Sequence, residues 1–142
     1  MSKAIEDQSI KKNKIKILED ELHSEHIRKE AHLTVGHFIE LLEDHFATRK
    51  TIEFYAVQLD TTSNKLNKLI KSYFGFSATE LIKIRLLIAI KKDLATTETS
   101  INMLAKKYLF SSASAFNRIF TLYTGMAPTR FRALAYNINL IK

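Results

Sequence analysis

The sequence predicts an all-α protein in which two helix-turn-helix subdomains are joined by a long central helix and preceded by an N-terminal helical extension. Its 142 residues include one Pro and three Gly, and no segment alternates apolar and polar residues as a strand does. Residues 78–94 are apolar almost all round a helical wheel, which is typical of a buried helix. The segments on either side repeat each other, which indicates two copies of one structural unit.

The central segment is too charged to be a membrane span. A span needs about 20 apolar residues with few charges, whereas residues 78–94 include Lys83, Arg85, Lys91 and Lys92. We therefore expect a buried rod with one unit on each side. The N-terminal sequence has no long apolar run, so we expect no signal peptide or anchor and a cytoplasmic protein.

The other elements follow from apolar periodicity and helix caps. Apolar spacings of three and four predict helices over residues 33–46, 52–59, 64–74, 101–108 and 113–123. Thr51 and Ser100 are expected N-caps, and polar turns at 60–63 and 111–112 precede the second helix of each unit. Gly75 and Gly125 are expected to end those second helices. Pro128 suits the first turn of a closing helix that ends near residue 135.

These elements divide the chain into an extension or linker (1–32), a first helix-turn-helix unit (33–76), the central helix (77–95), a second unit (96–135) and a tail of no clear role (136–142). In the extension, Ile15, Leu18 and Leu22 share one helical face. Glu25 and Lys29 then interrupt this face, so no sustained heptad pattern emerges. A loosely attached helix is the simpler interpretation, and a dimer contact is the alternative.

Basic charge is concentrated in the part of the chain that holds the repeat. Residues 1–49 contain 8 Lys or Arg and 10 Asp or Glu, whereas residues 50–142 contain 14 and 5. The first part therefore carries a net charge of −2 and the second +9. A basic domain is typical of nucleic-acid binding, although a solvated basic surface or one suited to anionic membranes has the same composition.

The repeat separates a core face from an outward face. The expected core residues are Leu66, Leu69, Ile70 and Tyr73 and, 50 positions later, Phe116, Ile119, Phe120 and Tyr123. The outward faces hold no acid among eight positions, which are Asn64, Asn67, Lys68, Lys71, Ser114, Asn117, Arg118 and Thr121. Asn suits adenine, Arg and Lys suit guanine, and Ser or Thr suits bases or phosphates. Exposed helix faces are commonly polar, but two matched acid-free faces in a basic domain favour double-stranded DNA as the partner.

One set of residues in the second copy forms a recognisable signature: Ile101, Leu104, Ala105, Phe110, Ser111, Phe116, Arg118, Phe120, Gly125, Pro128 and Arg132. This set closely resembles the C-terminal signature of AraC/XylS-type transcription regulators. Looser matches are Tyr55, Ala56, Leu59, Leu66, Gly75, Arg85, Ala89 and Leu94. This resemblance covers residues 33–132. It implies a homeodomain-like DNA-binding domain with one recognition helix per unit, in a bacterial transcription regulator, and leaves activation or repression open.

Carried over by position, the resemblance implies base contacts from Asn64, Asn67, Lys68, Ser114, Asn117 and Arg118. Phosphate contacts are expected from Lys50, Lys65, Lys71, Lys106, Lys107 and Thr121. Two positions depart from the family pattern: Leu109 stands in a turn where Gly is usual, and Asp93, at an often apolar place, is expected to face solvent. A 17-residue rod spans about 25 Å, less than the roughly 34 Å between successive major-groove sites, so we expect modest DNA bending.

Catalysis, metal binding and cofactor binding find no support in the motifs. The sequence contains no cysteine, nucleophile elbow, phosphate loop or dinucleotide fingerprint. His23, His26, His32, His37 and His45 lack metal-ligand spacing and are expected to be ordinary surface residues. Phe54, Phe74, Phe110, Phe116, Phe120 and Phe131 are interpreted as core residues.

Three partners follow from these observations. Double-stranded DNA is the principal one, and RNA polymerase and a second copy bound through the N-terminal helix are further candidates. The alternative function is a protein-interaction module whose basic helices bind an acidic partner or RNA polymerase.

Overall fold

A computed structural model describes the backbone of residues 2–141 and the side chains of residues 9–138. Within these residues the chain forms seven α-helices and no strand, which confirms the predicted fold class. The helices are α1 (Ser2–His45), α2 (Ile52–Gln58), α3 (Ser63–Phe74), α4 (Ala78–Thr96), α5 (Ile101–Lys107), α6 (Ala113–Thr124) and α7 (Pro128–Ile141). None of the described helices is long and apolar enough to cross a membrane.

The first helix is longer than the sequence predicted. Helix α1 runs for 44 residues without a break, through the boundary expected between residues 32 and 33. Spatial contacts divide the chain into an N-terminal part, residues 1–38, and a C-terminal part, residues 39–142. The charged residues that interrupt the apolar stripe near residue 30 change what the helix exposes, but none of them ends a helix as Pro does.

Side chains cap most of the helices of the C-terminal part. The hydroxyls of Thr62, Ser77, Ser100 and Ser112 each accept a hydrogen bond from the amide three residues later, at 3.0–3.2 Å. Thr51 occupies the N-cap position of α2, but its side chain makes no capping bond. Helices α3 and α6 end at Gly75 (φ 79°) and Gly125 (φ 75°), as expected.

In each helix-turn-helix unit, the turn contains one residue with a left-handed backbone conformation, shortly after the end of the first helix. Asp60 (φ 52°) follows α2 and Leu109 (φ 57°) follows α5. In each turn the next amide, of Thr61 or Phe110, donates back to the carbonyl of an alanine five residues earlier, at 3.0 and 2.8 Å. The second unit therefore keeps the turn geometry that Gly usually provides, with a β-carbon held in a strained conformation.

Replacing Leu109 with glycine is expected to stabilise the protein by about 0.5–1 kcal/mol. The left-handed conformation costs a residue with a β-carbon about 1–2 kcal/mol, which exceeds the roughly 0.5–1 kcal/mol of backbone entropy that glycine loses on folding. The Leu109 side chain is 61% exposed, so little burial is lost. Urea denaturation measures the change; Asp60→Gly is the matched control and should gain less, because Asp tolerates this conformation better. A less stable Leu109→Gly variant would contradict the argument.

The central helix α4 supplies core residues to both units. Its buried residues are Ala78, Ile82, Leu86, Leu87, Ile90 and Leu94. The last four belong to one cluster with Leu104, Ala105, Tyr108, Phe116 and Phe120 of the second unit. The expected buried rod is therefore present, and it ends at Thr96, one residue beyond the predicted central helix.

An ion pair and a stacked ring fasten the last turns of α1 to α4. The Arg85 guanidinium donates to both carboxylate oxygens of Glu43, at 2.7 and 2.9 Å. It also lies 4.0 Å from the centre of the Phe46 ring. Hydrogen bonding to Arg85 lowers the pKa of Glu43 below its ordinary value. The planar guanidinium thus satisfies a carboxylate and an aromatic ring at once.

Asp93 links the central helix to the second unit, so the expectation that it faces solvent was wrong. Its carboxylate accepts hydrogen bonds from the Tyr108 hydroxyl and, at 2.8 Å, from the Lys107 ammonium. Burial alone would raise the pKa of Asp93, but these hydrogen bonds, together with the positive charges of Lys107 and Lys92, outweigh it and lower the pKa. Lys107 and Tyr108 lie 14 and 15 residues from Asp93 along the sequence. The periodicity of a helix does not predict contacts between residues this far apart.

The closing helix strengthens the same junction. Arg132 donates to the carbonyl of Leu94 at 3.0 Å, and the Tyr136 hydroxyl donates to the carbonyl of Thr97. Tyr136 lies in the segment interpreted as a tail, yet α7 continues through it to Ile141. The structure therefore gives this segment a part in holding α7 against the end of α4.

Replacing Asp93 with asparagine is expected to destabilise the protein by about 1–2 kcal/mol at pH 7, because the ion pair with Lys107 is lost and the hydrogen bond from Tyr108 becomes a neutral one. The folded pKa of Asp93 is depressed, so its contribution is present above the ordinary value of 3.8 and is lost as pH falls through the folded value. Denaturation from pH 7 to pH 2 should show the wild type converging on the variant. Glu98→Gln, at an exposed connector position, is the control. A difference that persists at pH 2 would indicate a packing effect instead.

Candidate nucleic-acid interface

Helix α3 presents a basic outward face. Leu66 and Ile70 are buried, whereas Asn64, Lys65, Lys68 and Lys71 are exposed. This arrangement follows the predicted periodicity, since positions one turn apart share a face. The helix starts at the Thr62 cap and ends at Gly75, so its register is fixed at both ends.

Helix α6 presents the corresponding face of the second unit. Phe116 and Phe120 are buried, and Ser114, Asn117, Arg118 and Thr121 are all exposed. Leu122 continues this face and is 72% exposed, although it is not among the predicted contact residues. Its signal was available: at the register of Leu122, the first copy has a polar residue, Ser72.

Two matched asparagines have different surroundings. The Asn67 side-chain carbonyl accepts from the amide and the hydroxyl of Thr79, at 2.9 and 3.0 Å, and so caps the first turn of α4. Asn117, 50 positions later, is exposed, and so is Thr129, which matches Thr79. Bidentate contact with adenine needs both the carbonyl and the amide of an asparagine. Asn117 has both available at the surface, whereas Asn67 would have to release Thr79.

The lysines expected at phosphates fall into two groups. Lys65, Lys71 and Lys106 are exposed. By contrast, the Lys50 ammonium lies 3.7 Å from the centre of the Phe110 ring, and burial lowers its pKa. Lys107 is paired with Asp93 at 2.8 Å. The first group is therefore better placed for phosphates, because the second already has partners within the chain.

Three aromatic residues expected in the core are substantially exposed. Tyr73, Phe74 and Tyr123 retain 40%, 44% and 45% of their accessible surface. All three lie in the last turns of α3 or α6, beyond the residues that are buried in the earlier turns of the same helix. Of the other aromatic residues interpreted as core, Phe116 and Phe120 are buried and Phe54, Phe110 and Phe131 are partly buried.

The histidines do not assemble a site. Among the described residues, no group of three or more His, Asp or Glu side chains is placed to hold a metal ion. His26 lies 3.0 Å from Glu30 one turn away, and both side chains are about two-thirds exposed. His45 packs edge-on against the Phe54 ring, with 5.0 Å between centroids.

Comparison with known proteins identifies the family. A family model described as a helix-turn-helix domain matches residues 55–134. The chain belongs to the AraC-type helix-turn-helix family. The match begins within α2, includes all of α3, α4, α5 and α6, and ends within α7. It confirms the resemblance seen in the sequence. This is a family of DNA-binding transcription regulators and not of enzymes.

Two curated relatives are transcription regulators by name. The chain is 31% identical over 83 residues to the probable transcription factor PqrA of Proteus vulgaris, a match that covers 54% of this chain and 68% of that protein. It is 26% identical over 91 residues to the HTH-type transcriptional activator AarP of Providencia stuartii, covering 64% and 67%.

Solved structures share the AraC-type fold. A transcriptional regulator from Chromobacterium violaceum, with an AraC-type DNA-binding domain, aligns with a TM-score of 0.63 at 20% identity and covers 73% of this chain and 93% of its own. The DNA-binding domain of AdpA, determined in complex with a target DNA, aligns with a TM-score of 0.62 at 17% identity and covers 70% and 89%. At these identities the likeness establishes the fold alone.

Proposed function

We propose that this AraC-type protein regulates transcription by sequence-specific binding to double-stranded DNA, with α3 and α6 reading adjacent major-groove segments. The observation that carries the proposal is a pair of exposed helix faces that contain no acidic residue. The two faces lie at matched positions of the repeat, within residues 50–142, whose net charge is +9. A polar face alone is common, but its duplication in a basic domain fits groove binding. Membership of a DNA-binding family supports the same conclusion.

The proposed base contacts are not equivalent. Asn64 and Lys68 of α3, and Ser114, Asn117 and Arg118 of α6, have exposed side chains. Asn67 contributes as a reader only if its carbonyl leaves Thr79, so we assign it a supporting role in the free protein. The proposed phosphate contacts are Lys65, Lys71, Lys106 and Thr121, with smaller contributions from Lys50 and Lys107.

Selection from random-sequence duplex DNA, repeated at 50 and 200 mM salt, tests the proposal. We expect a bipartite motif with half-sites about 10 base pairs apart. Affinity should fall by about 10³-fold or more between the two salt concentrations if roughly six or more phosphates are contacted. Enrichment of one half-site would make the other unit a structural partner. Absence of any enrichment would favour a protein-interaction module that binds an acidic partner.

We also propose that the protein bends its operator modestly. Helix α4 has 19 residues and is about 28 Å long at about 1.5 Å per residue. Successive major-groove sites on straight DNA are about 34 Å apart. Bending would bring them closer at a cost of about 1–6 kcal/mol. Gel mobility of a site placed at the centre or the end of one fragment should differ, and equal mobilities would contradict bending.

The proposal also includes RNA polymerase and a second copy of the chain as partners, and the cytoplasm as the location. The name of AarP suggests activation and, with it, RNA polymerase as a partner. A second copy bound through the N-terminal helix would give a homodimer. A bacterial regulator that acts on the chromosome would work in the cytoplasm.

A further inference from the structure

Over much of its length, α1 has solvent-exposed side chains on all of its faces. Each described side chain from Ser9 to Glu30 is exposed. The apolar residues Ile15, Leu18 and Leu22 lie on one face and are 58%, 55% and 56% exposed. In proteins most of the stability of a helix comes from packing of its apolar face, and this apolar face is not packed against any described residue. This face, with the charged positions that flank it, is called the α1 seam below.

The charges along the α1 seam are segregated. Residues 9–16 contain four lysines and no acid, and residues 19–25 contain four acids and no lysine or arginine. Within the described part of the chain, Lys12, Lys14, Glu19 and Glu21 form no ion pair. A basic half that precedes an acidic half is complementary to a second copy of itself in the opposite direction.

We propose that residues 10–23 of α1 pair with the same segment of a second copy in antiparallel orientation. This inference deepens the dimerisation proposed above. Residue 15 of each copy lies opposite residue 18 of the other, so that Ile15 and Leu18 from both chains form the centre of the contact. Residue 11 then lies opposite residue 22, where the long stem of Lys11 covers Leu22 of the second copy.

This register pairs opposite charges on both sides of the apolar centre. In antiparallel coiled coils, flanking positions of one kind face the same kind on the other chain. Lys12 then faces Glu19 of the second copy, and Lys14 faces Glu21. In each pair, the acid lies two residues from the position directly opposite the lysine, which is about 3 Å along the helix axis. The two-fold symmetry repeats both pairs, which gives four interhelical ion pairs.

Other arrangements place like charges together. A parallel pair would stack Lys11 on Lys11, Glu25 on Glu25 and Lys29 on Lys29 within the seam, where charge is costly. An antiparallel pair shifted by one heptad would bring Glu19 and Glu21 against their own copies and Lys14 against Arg28. The proposed register keeps these like charges apart and combines apolar contact at the centre with opposite charges on both sides.

Cross-linking of single-cysteine variants distinguishes the orientations, because the chain contains no native cysteine. Full-length Lys11→Cys and Leu22→Cys proteins, one with a tag of different mass, are mixed without DNA and oxidised. We expect the mixed disulfide dimer, since the two positions lie opposite each other. Disulfides between two Leu22→Cys chains should be rare, because those positions are about 16 Å apart along the axis. Dimers of like variants, or no dimer at all, would overturn the proposal.

A charge exchange tests the register independently of cysteine. We expect the Lys12→Glu/Lys14→Glu variant to self-associate more than about tenfold more weakly in sedimentation equilibrium, because four attractive contacts become repulsive. Adding Glu19→Lys and Glu21→Lys to the same chain should restore association. Circular dichroism confirms that the helix persists. Unchanged association of the first variant, or no recovery in the second, would contradict the register. Both measurements omit DNA, so their failure leaves the DNA-binding proposal intact.

Discussion

The Phe116→Ala variant is expected to lose about 3–5 kcal/mol of unfolding free energy, the range for removal of a buried aromatic side chain. Phe116 is fully buried. Its ring lies 5.3 Å from that of Phe110, edge to face, and 6.4 Å from that of Phe120. These neighbours come from two different segments, so the cavity left by alanine cannot be closed by one side chain. Urea denaturation monitored by circular dichroism measures the loss.

The matched control for this variant lies on the same helix. Leu122→Ala removes an aliphatic side chain that is 72% exposed and should change stability by less than about 0.5 kcal/mol. If Phe116→Ala cost no more than the control, the second unit would not depend on this core. The loss should also abolish the second half-site in DNA selection under conditions where the first unit stays folded.

The Arg118→Ala variant is expected to bind its selected site more weakly by about 1–3 kcal/mol, or about 5- to 150-fold, and to relax preference at one base pair. Arg118 is exposed on the outward face of α6 and has no partner among the described side chains. The loss should therefore appear in DNA binding and leave stability unchanged. Fluorescence anisotropy with the selected site and with single-base variants measures both effects.

The exposed Lys65 provides the comparison for Arg118. The Lys65→Ala variant removes an exposed cation that we assign to phosphate, so it should weaken binding to all sequences alike and reduce the salt dependence by about one counterion. If Arg118→Ala also weakened all sequences equally, Arg118 would belong with the phosphate contacts.

Periodicity predicted those parts of the fold that depend on one helix at a time. Leu66, Ile70, Phe116 and Phe120 are buried as expected, because a helical repeat places them on one face. The N-cap Ser100 was also predictable, since its hydrogen bond spans three residues.

Features that depend on distant residues escaped the same reasoning. Asn67 and Asn117 are identical residues at matched positions, yet only Asn67 binds the first turn of the next helix. Asp93 is predicted to face solvent, but it accepts hydrogen bonds from Lys107 of α5 and from Tyr108, which follows α5. The sequence pattern does not predict the length of α1 for another reason, because an interrupted apolar stripe is also typical of the end of a helix.

The bond between Asn67 and Thr79 makes the start of the central helix a reporter of what happens at α3. In the free protein the Thr79 amide donates to Asn67 and should exchange slowly with deuterium. If Asn67 turns toward a base when DNA binds, that amide loses its acceptor and its exchange should accelerate, while the neighbouring Glu80 amide, held by Ser77, stays protected. A single backbone proton would then record whether sequence reading by the first unit loosens the helix that connects it to the second.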